Sequence, residues 1–389
     1  SKEEWFPKTW WANMIKLKLS YGEQGNDGIG DYLYTNTYNI QNNDGDVALV
    51  FRDKGNENIT WETVGSLNAG VEFELFNSRL RGGLEFYDRA TRDMLMWFST
   101  PASLGYSGYY DNIGDMRNLG LELELSADII NTRKFNWNVG LNLTWEKNRV
   151  TYLPTDKKLL KVDGYSGYMS EYLFYGEDLP VRTWYMPRYA GVSDNGLSMF
   201  YYTDSETGEL RTTTDYQSAD YYLCGSALPK VFGGFNTTIK AYGFDLSAQF
   251  NYSIGGKKYD SVYGGFMTPP TSTMTGLKFH KDVFKSWTQE NSGSNIPRFQ
   301  YNDDYTASTS DRFLTDASYL TFKNVTLGYT FPKEWMRKAH ICVSIARPRI
   351  SITGPNGKAL IRVWEAFTVT TTTVHPMHSP RGLSPVDCQ

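Results

Sequence analysis

The chain has 389 residues and a formal net charge of -4, with 40% hydrophobic and 15% aromatic residues and a mean hydropathy of -0.48. No run of about 18 or more apolar residues occurs, which excludes a helical membrane span, and the interleaved charges argue against nucleic acid as a partner. Aromatic residues and glycine (35 residues) are abundant in the way that strands, tight turns and membrane-interface girdles require.

Strict alternation of apolar and polar residues is the main pattern, and it predicts strands with one apolar and one polar face. Eight segments show it, in chain order 15–21, 66–75, 80–89, 118–127, 135–146, 231–240, 244–254 and 319–331. The fifth is the clearest. Its apolar row runs from Phe135 to Trp145, which at about 3.3 Å per residue and a tilt of about 40° spans roughly 25 Å along a membrane normal. That height, with rings at both ends of the row, favours an antiparallel transmembrane β-barrel.

The connections between these segments alternate in length. Three are short turns, predicted at 76–79, 129–134 and 241–243, and the others are long and rich in Tyr, Trp, Gly, Asn and Asp, at 22–63, 90–116, 147–230 and 255–317. Short periplasmic turns and long extracellular loops are typical of an outer-membrane barrel. The alternative is a soluble β-sandwich, such as a secreted or surface glycan-binding module, because a sandwich also alternates inward apolar with outward polar residues.

No catalytic or metal-binding arrangement is predicted. His280 has no Cys partner nearby and no metal-ligand spacing, and the three Cys residues show no redox or metal pattern. The carboxylate pairs Glu72/Glu74 and Glu122/Glu124 lie two residues apart on strands, as hydrated side chains of a polar barrel face would. We therefore expect a protein that is not an enzyme and that needs no cofactor.

Nine stretches carry a more specific pattern: LKLSYGEQG (17–25), NITWET (58–63), FNSRLRGGLEFYDRATRDML (76–95), NIGDMRNLGLELEL (112–125), WYMPRYAGV (184–192), LPKVFGGF (228–235), NYSIGG (251–256), WTQEN (287–291) and DASYLTFKNVTLGYTFP (316–332). Together, over about residues 10 to 340, they resemble the later barrel half of the SusC-like (RagA-type) TonB-dependent transporters of the Bacteroidetes outer membrane. The resemblance implies nutrient import, of oligosaccharides or of other nutrients such as peptides, through a plugged barrel of about 22 strands. It also implies three partners: a SusD-like surface lipoprotein as a lid, the TonB complex, and the outer-membrane bilayer with its lipopolysaccharide.

The family's signal peptide, TonB-contacting segment, plug and earlier strands are not found in this chain. We therefore expect residues 1–340 to be the C-terminal portion of the barrel, which reaches the TonB complex through the missing N-terminal region. Residues 341–389 depart from the pattern, because alternation stops there, no Tyr follows Tyr329, and two of the three Cys lie there. We interpret this tail as the product of a reading-frame shift near residue 340, the alternative being a genuine divergent tail.

Substrate binding is expected from aromatic residues of the long loops, which can stack on the apolar faces of sugars. The same rings could instead pack loop against loop or meet the lipoprotein. The candidates are Trp97, Tyr106, Tyr109, Tyr110, Trp184, Tyr185, Tyr201 and Tyr202.

Overall fold

The computed structural model describes residues 11–43, 46–271, 277–303, 305–306, 308–330, 349–353 and 360–364. The first twelve strands are β1 (Ala12–Asn26), β2 (Thr37–Asn43), β3 (Asp46–Asp53), β4 (Glu62–Leu75), β5 (Leu80–Arg92), β6 (Leu95–Ser99), β7 (Gly108–Asn112), β8 (Asp115–Asn131), β9 (Phe135–Tyr152), β10 (Leu160–Val162), β11 (Tyr165–Ser170) and β12 (Leu173–Gly176). The others are β13 (Thr183–Pro187), β14 (Tyr189–Val192), β15 (Ser198–Thr203), β16 (Leu210–Thr213), β17 (Tyr221–Ser226), β18 (Val231–Ala241), β19 (Phe244–Ile254), β20 (Lys257–Tyr259), β21 (Leu314–Asp316), β22 (Tyr319–Tyr329), β23 (Arg349–Thr353) and β24 (Leu360–Trp364).

Helical structure in the described residues is short. The α-helix α1 covers Ser261–Phe266, and the 3₁₀ turns are Ala102–Leu104, Thr155–Lys157, Tyr216–Ser218, Lys281–Lys285, Gln289–Asn291 and Asp311–Phe313. No helix among these residues is long and apolar enough to cross a membrane.

All eight predicted strands are confirmed, and they form most of one ten-stranded sheet. The eighth was predicted to reach residue 331, but its strand ends at Tyr329, and residue 331 lies outside the described residues. The order of the sheet is β1-β4-β5-β8-β9-β18-β19-β22-β23-β24. Each strand of this main sheet therefore lies beside the main-sheet strand that comes before or after it along the chain. The β1–β4 and β4–β5 pairs are antiparallel, with Leu17 opposite Val71 and Val71 opposite Leu84. This register places the apolar residues of the three strands on the same face, as the alternation predicted.

Exposure of the apolar face distinguishes the barrel from the sandwich. Leu17 is 81% exposed, Leu19 77% and Leu327 54%, and Phe86 and Leu121 on inner strands are also exposed. In a sandwich a second sheet would cover these side chains. An uncovered apolar row on each strand is what a lipid-facing barrel surface requires.

The short turns lie where they were predicted, with one difference. Residues 76–79 join β4 to β5 and Tyr242–Gly243 join β18 to β19, but β8 extends to Asn131 and leaves only residues 132–134 as the turn to β9. The β-branched pair Ile129 and Ile130 favours extended backbone, which accounts for the longer strand.

The long connections contain strands of their own, which the sequence pattern did not predict. They form a five-stranded sheet (β10-β11-β12-β13-β17), a three-stranded sheet (β14-β15-β16) and three two-stranded pairs (β2-β3, β6-β7 and β20-β21). A buried cluster lies among them, made of Met94, Phe98, Ile113, Val150, Leu153, Tyr168 and Tyr175.

The chain divides into two compact units. The first comprises Ser1–Leu125, Asn142–Gly233 and Tyr252–Leu320 and contains the long connections; the second comprises Ser126–Leu141, Gly234–Asn251 and Thr321–Gln389. Within the second unit, the rings of Phe235 and Phe250 stack at 4.4 Å, and Phe250 lies 4.8 Å from Phe322. Of the anomalous tail at 341–389, only the backbones of β23 and β24 are described, so the frame-shift interpretation stays a prediction.

Candidate functional site

A cavity of about 510 Å³ lies in the first unit, between the ends of main-sheet strands and the long connections. Most of its lining is apolar, two residues add aromatic rings, and two add opposite charges. The apolar lining residues are Met94, Leu95, Met96, Met116, Leu173, Val181 and Ala227. The aromatic ones are Tyr175 and Trp184, and the charged ones are Glu62 and Arg182.

The cavity lies on the polar face of the main sheet. Glu62 shares its face of β4 with Glu72, and Met116 shares its face of β8 with Glu122, because residues an even number apart on a strand point the same way. Farther along these strands, Lys18, Glu72, Glu122 and other polar side chains line a second cavity of about 230 Å³. The polar face of an outer-membrane barrel lines its lumen, so the apolar cavity is positioned where the lumen meets the extracellular connections.

The loop strands are fixed to the barrel wall by hydrogen bonds beside the cavity. Asn148 of β9 accepts a hydrogen bond at its Oδ1 from the Val181 backbone N–H (2.8 Å) and donates through Nδ2 to Asn118 Oδ1 (2.6 Å). Leu173 lies directly opposite Trp184 in the β12–β13 pair. The indole N–H of Trp184 donates to the carbonyl of Lys257 at 2.8 Å, which sets the orientation of its ring.

Glu62 and Arg182 give the lining its charge. The Oε2 of Glu62 accepts a hydrogen bond from the Leu95 backbone N–H at 3.1 Å, and its Oε1 accepts one from the Asn26 amide at 3.4 Å. The exposed Arg182 forms no ion pair within the part of the chain that the structure describes. Its guanidinium is therefore available to an anionic group that enters the cavity.

A buried cation supports the wall of the cavity. Lys157 Nζ lies 2.5 Å from Asp111 Oδ2, 3.3 Å from the Tyr109 hydroxyl and 4.0 Å from the centre of the Phe98 ring. Burial by itself lowers the pKa of Lys157, but the hydrogen bond and charge of Asp111 outweigh it, so the pKa of Lys157 is raised. Phe98 belongs to the same buried cluster as Met94 and Tyr175, which both line the cavity.

Four of the predicted aromatic residues are brought together on the β6–β7 hairpin and the connection within it. Trp97 faces Tyr110 across the hairpin, with ring centres 5.4 Å apart, and Tyr106 and Tyr109 lie 6.4 Å apart. Tyr109 points to Lys157 and Phe98, so it packs in the buried cluster, whereas Trp97 is exposed.

The other four lie on different loop strands. Trp184 lines the cavity, whereas the next residue, Tyr185, packs between Phe174 and Tyr221 with ring centres 5.5 Å from each. Burial raises the pKa of Tyr185. On β15, Tyr201 lies under the guanidinium of Arg188 at 4.9 Å, and Tyr202 is opposite Arg211.

The sequence pattern missed the residues that give the cavity its chemistry, which are the three methionines and the two charged side chains. The sequence gives one local sign of these residues: two of the 11 methionines of the chain, Met94 and Met96, lie on either side of Leu95 and directly before Trp97. His280, which has no predicted role, accepts a hydrogen bond from the Asp282 backbone N–H at 3.2 Å and lies 5.0 Å from the Tyr263 ring.

Carboxylates of the polar face interact with lysines. Glu72 contacts Lys18 and lies 3.4 Å from Lys16, as a hydrated wall residue would. Among the described residues, no group of three or more His, Cys, Asp or Glu side chains is arranged to hold a metal ion. The chemistry that the arrangement supports is binding at the apolar cavity.

Similar proteins were found at the level of family, sequence and structure. Residues 4–267 match the family model described as TonB dependent receptor-like, beta-barrel. TonB-dependent receptor P26 of Formosa agariphila is 28% identical over 91% of this chain and 36% of its own length, and TonB-dependent receptor SusC of Bacteroides thetaiotaomicron is 26% identical over 84% and 32%. The solved structure of the RagAB peptide transporter matches with a TM-score of 0.69 and 24% identity, over 90% of this chain and 37% of that one.

This chain thus spans about a third of the length of these relatives. The relatives are receptors and transporters, in agreement with the expectation that the chain is not an enzyme. The match over residues 4–267, in agreement with the uncovered apolar rows of the main sheet, shows that the chain belongs to the TonB-dependent receptor-like β-barrel family of the outer membrane.

Proposed function

We propose that the chain supplies the later barrel wall and several extracellular connections of a transporter that imports an oligosaccharide or peptide nutrient. The cavity on the polar face of the main sheet is the observation that carries this proposal. Its volume of about 510 Å³ falls within the roughly 300–1,000 Å³ of ligand pockets. A site at the lumen entrance can hold a nutrient before it passes the barrel.

The proposed partners follow from membership of the family. They are a SusD-like surface lipoprotein, the TonB complex reached through a region outside this chain, and the lipid bilayer with its lipopolysaccharide. The uncovered apolar rows, with Leu17 and Leu19 among them, support contact with lipid. Exposed rings on the connections, such as Trp61 and Trp97, support contact with a lid or with the nutrient.

The eight aromatic residues proposed as binding residues divide by their surroundings. Trp184 has the strongest case because its ring lines the cavity, and the pair of the exposed Trp97 and the half-buried Tyr110 comes next. Tyr109 and Tyr185 pack against other rings, so their proposed contribution is to hold the connections in place.

Uptake by the full-length transporter in its host tests the proposal. We expect uptake of labelled oligosaccharides or peptides to require TonB, and Trp184→Ala to reduce uptake and ligand affinity. Trp145→Phe is the matched control, because Trp145 lies on the apolar face of β9 and should leave uptake unchanged. Unaltered uptake in the Trp184→Ala variant would remove that residue from the site, and uptake that continues without TonB would contradict the transport proposal.

A further inference from the structure

An open groove lies on the outer face of the barrel wall, where β1 and β4 meet the long connections. Its volume is about 410 Å³, and it is lined by Glu23, Gln24, Gly25, Asn26, Asp27, Trp61 and Thr63. We propose that this groove, the Trp61 groove, binds an unphosphorylated sugar residue of an outer-leaflet glycolipid. The inference rests on the proposed contact with lipopolysaccharide and assigns a site to that contact.

The register of β1 and β4 places the groove on the lipid-facing side of the wall. Glu23 lies opposite Gly65, and Gly25 lies opposite Thr63. Residues an even number apart on a strand point the same way, so Glu23 and Gly25 share the face of Leu19. A Cβ at Gly65 would lie 3.8 Å from Oε1 of Glu23, in agreement with this face. The groove therefore lies outside the lumen through which a nutrient passes.

The groove begins where the apolar band of the wall ends. Tyr21 of β1 lies opposite Leu67 of β4, and these are the last apolar residues of their rows before the long connection between the two strands. Tyr21 is 67% exposed, and its hydroxyl donates a hydrogen bond to Glu23 Oε1 at 2.6 Å. A ring with a polar edge is typical of the membrane interface, and the long connections are extracellular. The groove thus lies at the level of the outer-leaflet saccharides.

Glycines and a tryptophan give the groove its shape. A Cβ at Gly25 would have no atom within 4 Å, so the floor is open and a sugar ring can approach the backbone. Trp61 closes one end; its ring is 69% exposed and contacts no other ring in the described part of the chain. The backbone before Trp61 is held, because the N–H of Thr60 donates to Asn112 Oδ1 at 2.9 Å and its carbonyl accepts from Asn112 Nδ2 at 3.0 Å.

The polar atoms of the groove suit sugar hydroxyls. Within the residues that the structure describes, Oε2 of Glu23 and the hydroxyl of Thr63 have no hydrogen-bond partner. Both oxygens can accept hydrogen bonds from sugar hydroxyls, and the Trp61 ring can stack on the apolar face of a sugar. The negative charges of Glu23 and Asp27 repel phosphate, so the sugar residue that binds here carries no phosphate group.

The test uses the full-length transporter, purified in detergent with its lipoprotein partner. Lipopolysaccharide from the host strain is added at rising concentration, and native mass spectrometry counts the bound molecules. Trp61→Ala and Gly25→Val should each weaken the binding of one lipopolysaccharide molecule about tenfold, a loss comparable to that of an anchor residue in an interface. Binding of lipid A, from which mild acid has removed the outer sugars, should not respond to either change.

Two matched controls address the fold and the type of substitution. Gly22→Val adds the same side chain at another open position of β1, but on the polar face of the wall, where Gly22 lies opposite Ser66. Trp11→Ala removes an exposed tryptophan at the other end of β1, where the Trp11 carbonyl accepts a hydrogen bond from the Phe76 N–H. Both variants should bind lipopolysaccharide as the unmodified protein does.

Unchanged lipopolysaccharide binding in both Trp61→Ala and Gly25→Val would overturn the inference and leave the proposed partner in place. An equal loss in the two controls would overturn it as well. Reduced nutrient uptake in the Trp61→Ala variant, with lipopolysaccharide binding unchanged, would assign the ring to the nutrient or the lid instead. No lipopolysaccharide bound to the unmodified protein is a different result, and it contradicts the proposed partner itself.

Discussion

The ammonium nitrogen of Lys157 lies 2.5 Å from Oδ2 of Asp111, and the Lys157 side chain is 3% exposed. This pair connects strand β7, which contains Asp111, with the 3₁₀ turn that precedes β10 and contains Lys157. Lys157→Met should leave the Asp111 carboxylate without its cation, at a cost of about 3 kcal/mol for a buried pair. Hydrogen exchange of residues 94–112 and 150–177 should become faster, whereas exchange in β18 and β19 should not change.

The double replacement Lys157→Met with Asp111→Leu is the control for this prediction. Removing both charges avoids an uncompensated buried ion, so exchange should return close to that of the unmodified protein. Equal exchange in the single and double variants would show that the charge pair does not hold the two connections together.

Alkaline pH should loosen the same contact. The pKa of Lys157 is raised above its ordinary 10.5, so its stabilising contribution is complete below 10.5 and is lost as pH rises through the higher, folded-state value. Limited digestion by an alkaline protease should therefore cut the 94–112 connection faster above pH 10.5. The Lys157→Met variant should show no such step in that range, and an identical step in both proteins would assign the change to another group.

Gly120 should not tolerate a side chain. A Cβ at this position would lie 2.0 Å from Cζ of Tyr87, whose buried ring donates a hydrogen bond from its hydroxyl to Glu146 Oε2 at 2.7 Å. Gly120→Ala would push the ring away and break that hydrogen bond, so we expect a loss of about 1–3 kcal/mol in unfolding free energy. Urea unfolding of the transporter in detergent measures it.

Gly83→Ala is the matched control on the neighbouring strand. Its Cβ would lie 3.8 Å from the nearest atom, the carbonyl oxygen of Val71, which is an ordinary contact. The urea midpoint should change little, and a loss as large as that of Gly120→Ala would mean that any methyl group on this face disturbs the wall.

The turn between β18 and β19 should be improved by a single substitution. Tyr242 has φ of 52° and Gly243 of 91°, and the Tyr242 side chain is 75% exposed. Asparagine adopts the left-handed region more readily, and Asn-Gly is the preferred pair in such two-residue turns. Tyr242→Asn should raise the unfolding free energy by up to about 1 kcal/mol. Tyr242→Val, with a β-branched residue at positive φ, should lower it.

The tail at 341–389 gives a prediction at the level of the gene. If the reading frame shifts near residue 340, the neighbouring frame should encode an alternating strand that ends in phenylalanine. Sequencing this region of the gene and translating its three frames decides between the alternatives. Stop codons in the neighbouring frames would leave a genuine divergent tail as the explanation.

The main sheet could be predicted almost completely from the sequence because its information is local. Along 135–146, each residue's face follows from its position in the alternation, and β9 does cover this segment. The turn at 129–134 was the exception, since Ile129 and Ile130 extend β8 where loop residues were expected. The small sheets of the connections were missed because their strands are short and lack the long alternation that identifies the wall.

The sequence by itself determined the fold class, the eight wall strands, their apolar and polar faces and the resemblance to a transporter family. Only the tertiary structure decided which side chains meet in the cavity. Met94, Met116 and Trp184 come from separate parts of the chain, and no periodic pattern links them. The physical reason is that alternation fixes a side chain's direction along one strand, whereas convergence of distant connections depends on their packing and hydrogen bonds through space.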